Sequence, residues 1–227
     1  YVNRQKENPV KALRFTSDAR IIPKFISLLE NPEIEPEIRR HIAFSLSVFK
    51  TPEVQIILKR MLKDNDYAVR AGCVYSLGEQ AEIDSLSILR DCLHDRHQEV
   101  RLPALRALSK FRTEDVFDLV IASLKDKGHL VRSEATEILG RWGDERAVDS
   151  LLTSLGDSNV DVRYGAMQAL SRFNSEKIVP ELIGLLDDQR LILGIIPFNS
   201  LVVSKLEEIG TTEALQAVEE AREKGWL

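Results

Sequence analysis

Apolar positions along the chain follow a helical period inside a much longer one. In Asp144 to Leu155, the residues Ala147, Leu151, Leu152 and Leu155 fall on one stripe of a helix. The spacing is that of an amphipathic helix with one buried side. The stretch GDSNVD follows, rich in residues that end one helix and cap the next. Val162 to Phe173 then repeats the pattern, with Val162, Ala166, Ala169, Leu170 and Phe173 on one face. Neither helix can bury its stripe alone, so the unit predicted is a pair of helices that must stack on further pairs.

The pair recurs on a 31-residue ruler: Arg39, Arg70, Arg101, Arg132 and Arg163 are evenly spaced, each preceded by Ile or Val. Asp64, Asp95, Asp126, Asp157 and Asp188 keep the same interval. So do Leu46, Leu77, Leu108, Leu139 and Leu170, and the aromatic residues Phe49, Phe111, Trp142 and Phe173, with Gln80 the exception in that series. Ala104, Ala135 and Ala166 are small enough to let paired helices approach closely. The fold class predicted is all-α, an α-solenoid of antiparallel helix pairs with at least twelve helices and no β-sheet. Four regular repeats are expected at 50–80, 81–111, 112–142 and 143–173. Degenerate ones flank them, giving six over 18–209. Residues 1–17, with VKALRF, read as a partial or truncated helix. Residues 210–227 read as a capping helix with Ala214, Leu215, Val218 and Ala221 inward.

The pattern in DSNVDVRYGAMQAL from Asp157, repeated on this ruler, resembles the short HEAT repeats of the phycobilisome-lyase-like family. The resemblance covers about residues 18 to 222 and speaks to fold more than to function. It implies a helical solenoid. Members of that family include subunits of bilin lyases, factors in phycobilisome turnover and adaptors that only bind. The repeat motif does not fix the residues of bilin chemistry, so none is carried over to this chain.

Composition narrows the function. Against 31 Lys and Arg stand 36 Asp and Glu, a net charge of −5. That balance opposes a nucleic-acid binder, which draws affinity from a basic face. The longest apolar run, Leu191 to Phe198, is too short to span a bilayer, so no membrane insertion is expected. Two cysteines, Cys73 and Cys92, sit in helical patterns and read as free thiols of a reducing intracellular compartment. The chain opens on Tyr1 and not on Met, as a processed or longer precursor would.

Candidate chemistry is sparse. The ruler Arg and Asp residues admit an anion-binding reading. The stronger reading is a structural ladder, in which they bond to turn backbone and to the neighbouring repeat. His94 and His97 share a turn but lack converging partners for a metal, and His97 occupies an N-cap slot. No phosphate loop, nucleophile signature or paired carboxylates appears. The expectation is therefore no catalytic residue, no metal and no cofactor.

The informative positions lie on the second helices, outside the repeat's own core. There the first half carries Phe44, Ala71, Val74, Tyr75, Leu102 and Leu105, and the second half Tyr164 and Met167 among polar residues. Read as facing solvent, they form a stripe for a protein partner on the concave face. In the sixth repeat five extra residues displace the ruler Arg, and QRLILGIIPFN replaces an ordinary turn. Ile195, Ile196 and Phe198 are its candidate contacts. Most of its apolar side chains are expected inside the C-terminal core, with two presented outward. The leading function is a non-catalytic scaffold or adaptor. The alternatives are a bilin-lyase subunit or related chromophore-handling factor, and a built-in subunit of a larger assembly.

Overall fold

The structure is a computed structural model that describes residues 18–173, 178–192 and 195–227, with the side chain of Ile192 left aside. The VKALRF stretch and Leu193 and Gly194 of the sixth-repeat turn lie outside the described residues. Among those described are thirteen α-helices and one short pair of strands. The chain divides into two compact units, one ending at Val116 and the other beginning at Phe117.

In the first unit the helices are α1 (Ile22–Glu30), α2 (Pro36–Ser45), α3 (Pro52–Met61), α4 (Tyr67–Gln80), α5 (Leu86–Cys92) and α6 (Gln98–Leu108). Their starts are written in the sequence. Proline opens α2 and α3 and is the second residue of α1, at positions where its missing N–H costs nothing. The Asp66 carboxylate accepts the Ala68 N–H at 2.8 Å to cap α4. The short α5 is entered through a 3₁₀ turn, Ile83–Ser85. Val54, Ile57, Leu58 and Met61 of α3 are buried, as are Val69, Cys73 and Leu77 of α4. Each second helix then packs on the one before it. Ser76 Oγ donates to Ala43 O at 2.6 Å, and Gln80 Nε2 donates to Phe49 O at 2.8 Å. Gln80, the break in the aromatic series, is fully buried because it satisfies carbonyls at the end of the previous second helix.

The second unit takes in most of α7 (Glu114–Ser123), then α8 (His129–Trp142), α9 (Val148–Ser154), α10 (Val160–Leu170), α11 (Val179–Ile183), α12 (Phe198–Ile209) and α13 (Thr212–Glu223). Glycine sets the helix spacing here. A Cβ built on Gly140 of α8 would lie 2.7 Å from Ala169 Cα of α10, so only glycine allows this approach. Gly78 of α4 meets Ala107 of α6 in the same way in the first unit.

Between α11 and α12 lies one short pair of strands, two residues each, and the all-α class expected from the sequence holds. Strands β1 (Leu191–Ile192) and β2 (Ile196–Pro197) pair antiparallel, Leu191 opposite Pro197 and Ile192 opposite Ile196. Isoleucine favours extended backbone, and Pro197 cannot continue a helix arriving from its N-terminal side. The turn is less buried than expected. Ile195 is 80% exposed, and Leu191 and Ile196 are about half exposed. Phe198 is the exception: offered above as an outward contact, it is fully buried at the start of α12.

Candidate functional site

The ruler residues form a repeated tie. Arg132 Nε donates to Asp157 Oδ2 at 2.7 Å, and its Nη2 donates to Oδ1 at 2.9 Å. Its Nη1 reaches back to Asp126 O at 2.9 Å. Arg70 does the same with Asp95, at 2.7 and 2.9 Å, and with Asp64 O at 2.8 Å. Arg39 bonds Asp64 through Nη2 and Leu29 O through Nε. Arg101 Nη1 donates to Asp95 O at 2.8 Å. Each aspartate also accepts the N–H two residues on: from Asp66 to Asp64, His97 to Asp95, Gly128 to Asp126 and Asn159 to Asp157. One guanidinium thus holds its own turn and the turn of the next repeat. The planar fork suits that task and a lysine would not.

Electrostatics agree with this geometry. The hydrogen bond to Asp157 raises the pKa of Arg132, and that to Asp95 raises Arg70. Burial pushes Asp95 and Asp157 up, but bonds from Arg70 and Arg132, and from the turn N–H groups, leave both carboxyls below their ordinary values. Arg163 departs from the series. Burial, then the nearby Arg190, draws it downward.

The predicted contact stripe needs correction. Val74 and Leu105 are 0% exposed and Met167 is 3% exposed, so these three are core residues. Four residues beyond the ruler Arg, a side chain turns toward the neighbouring second helix and not toward solvent. Thr136, in the same slot, is also fully buried. One residue beyond the Arg, Ala71 is buried, Leu102 is half-buried and Tyr164 is 41% exposed. The open ridge runs five and nine residues beyond the Arg: Phe44 and Val48, Tyr75 and Glu79, Arg106 and Lys110.

On that ridge, Tyr75 is 37% exposed and Phe44 is half-buried. Their rings meet edge to face at 4.8 Å, and the Arg40 guanidinium lies 5.3 Å from the Phe44 ring. Lys110 Nζ donates to Glu79 Oε1 at 2.9 Å and to Gly78 O at 2.8 Å. Arg40 and Lys110 were not anticipated. Their slots, one and nine residues past the ruler Arg, are the signal that identifies them.

In the second unit Tyr164 borders a groove of about 360 Å³ between α8 and α10, with Glu137, Asp161, Gln168 and Arg172 around it. His97 stands at an N-cap, but its side chain makes no capping bond. Its ring stacks on Tyr67 at 4.6 Å. Among the described residues no three His, Cys, Asp or Glu side chains converge as a metal site would require. No described helix is long and apolar enough to cross a membrane. Both thiols are free; burial raises Cys73 far above its usual value and pushes Cys92 up to about 12.

Comparison with known proteins agrees with the fold. YibA of Escherichia coli matches with a TM-score of 0.68 and 20% identity, over 95% of this chain and 84% of its own. An engineered protein matches at 0.53 and 16%, over 94% of this chain and 64% of its own. The complex of CpcE and CpcF of phycocyanin lyase from Nostoc reaches 0.49 at 15% identity, covering 96% of this chain and 91% of its own. Among curated proteins none matches. A profile of HEAT repeats matches residues 54–137 and 128–193, more than half of the chain. With helix pairs stacked through their second helices in each unit, the chain belongs to the HEAT repeat family.

Proposed function

We propose that this chain is a non-catalytic scaffold that grips a protein partner on the second-helix ridge of its first unit. The observation that carries the reading is the Phe44–Tyr75 pair, two aromatic rings held edge to face at 4.8 Å and left partly open to solvent. Rings already fixed against each other lose little freedom on binding, and aromatic residues dominate the energetics of interfaces. Leu102 extends the apolar strip along α6, while Glu79 and Lys110 supply a polar rim. The six repeats over 18–209 and the cap over 210–227 are the organisation we propose for it.

The test compares the wild-type chain with Tyr75→Ala and Phe44→Ala in quantitative pull-downs from native extract. The partner common to repeated captures is then measured by calorimetry. Tyr75→Ala should weaken that complex by about 2 kcal/mol, near thirtyfold, while its stability changes by under about 1 kcal/mol. Equal affinity of wild type and both variants for the captured partner would remove the ridge from the reading.

A further inference from the structure

Asp188 stands 25 residues after Arg163, as Asp64, Asp95 and Asp157 stand after Arg39, Arg70 and Arg132. In those three steps the carboxylate receives the guanidinium directly. At Asp188 another residue has taken it. Arg190 Nε donates to Asp188 Oδ1 at 2.8 Å, its Nη2 to Oδ2, and its backbone N–H to Oδ1 at 3.1 Å. Arg163 Nε is left 3.9 Å from Asp188 Oδ2 without a hydrogen-bond partner, in a side chain only 2% exposed. Its Nη1 still holds Asp157 O and Ser158 O, and the Phe198 ring lies 5.4 Å from its carbon. A buried charged donor without an acceptor is costly, so this step of the ladder is unfinished.

Asp-x-Arg forks like that of Arg190 recur at Asp18–Arg20 and Asp144–Arg146, but on open surface. The Asp188 side chain is 7% exposed, and two guanidiniums share its one negative charge. Asp187, next in sequence, is exposed and takes no part in the hydrogen bonds of either. Of the two guanidiniums on Asp188, the one open to solvent is that of Arg190, whose side chain is 51% exposed and stands next to half-exposed Leu191.

We propose that Arg190 is a docking point for a carboxylate carried by a protein partner, and that this carboxylate hands Asp188 back to Arg163. A shift of about 1 Å brings Asp188 Oδ2 within hydrogen-bond distance of Arg163 Nε. Exposed Leu191 follows Arg190 in the chain and exposed Ile196 lies on the paired strand, so the partner residues beside the carboxylate are apolar. The site belongs to the second unit and does not depend on the Phe44–Tyr75 ridge.

The experiment follows the Arg163 Nε–H signal of the full chain by ¹H–¹⁵N NMR. The probes are the capped peptide acetyl-Leu-Asp-Leu-amide, its Asn counterpart, and acetate at matched ionic strength. The Asp peptide should shift the signal saturably and slow its exchange with solvent at least tenfold, and the Asn peptide should do neither. In Arg190→Gln the slow-exchanging signal should be present without peptide and should not respond to it. Acetate binding as tightly as the Asp peptide would overturn the assignment to a protein partner. No response of the wild type to the Asp peptide, or Arg163 exchanging as fast in Arg190→Gln as in wild type, would overturn the exchange itself.

Discussion

Removing one guanidinium from the middle of the ladder tests what the repeated Arg and Asp do. In Arg132→Ala four hydrogen bonds vanish: two from the fork to Asp157 and one each to Asp126 O and Lys127 O. The side chains of Arg132 and Asp157 are 14% and 13% exposed, so both are largely withdrawn from water in the folded state. Breaking a buried pair on one side costs about 3–5 kcal/mol. Here Asp157 keeps the Asn159 N–H at 2.7 Å, and water can enter the space the side chain leaves. The expected loss is therefore about 2–4 kcal/mol. Urea denaturation followed by circular dichroism measures it, with hydrogen exchange to show whether the loss stays near the 126–162 turns. Arg132→Lys should fall between, because the charge survives and the fork does not. In a double-mutant cycle with Asp157→Asn, the coupling should exceed about 1 kcal/mol. The pH dependence carries a sign. Asp157 sits below its ordinary pKa in the folded state, so its contribution is present above the unfolded value of about 3.9 and is lost as pH falls through the folded one. The gap between wild type and Arg132→Ala should be widest near neutrality and close in acid. A loss under about 1 kcal/mol with no coupling would refute the structural role. Intact stability with abolished partner binding would make the ladder a binding site instead.

Further outcomes follow from burial and close approach. Leu105→Ala should lose about 2–5 kcal/mol in denaturant titration, as a fully buried leucine does, whereas Ile195→Asp should leave the midpoint nearly unchanged. Gly140→Ala places a methyl group against Ala169 of the next second helix and should cost about 1–3 kcal/mol, seen as a lower melting temperature. Cys73 should resist a thiol reagent at mildly alkaline pH until the chain unfolds, because burial holds it protonated. Its labelling rate should track the unfolding rate.

The repeat was legible because it is written twice, in charge and in apolar spacing. Arg70 and Asp95 are far apart in sequence and meet in a fork, and the constant interval between such pairs is a contact map in one dimension. The outward face was harder to read. Core positions can be taken from a single helix stripe, but a second helix in a stack has two further flanks, one against each neighbouring second helix. Val74, Leu105 and Met167 fall on such a flank and are buried there. No periodicity within one helix separates that flank from solvent. The separation comes from helix spacing, which glycines at 78 and 140 make close.

The sixth repeat shows the same limit from the other side. Its insertion and lost arginine were visible in sequence, but not what replaced the arginine. Thirty-six residues after Arg163 stands Asn199, which is buried. Its Nδ2 donates to Leu186 O at 3.3 Å and to Trp226 O at 2.7 Å, while its backbone N–H donates to Asp188 O at 2.9 Å. A ruler arginine would tie its own turn to an aspartate in the following turn. Here the same slot ties the turn to the segment after α13, and a short neutral amide suffices because its acceptors are the backbone carbonyls of Leu186 and Trp226. With the arginine gone, Phe198 occupies the space beside Arg163, and Lys205 Nζ reaches Ser171 O at 3.2 Å to satisfy the end of the previous second helix. Asn199→Arg should therefore fail to restore the ladder: it would bury a second guanidinium near Arg163 with no new carboxylate to receive it. Loss of stability in that variant, with none of the gain that repeat consensus would suggest, separates a true change of partner from a mere gap in the ruler.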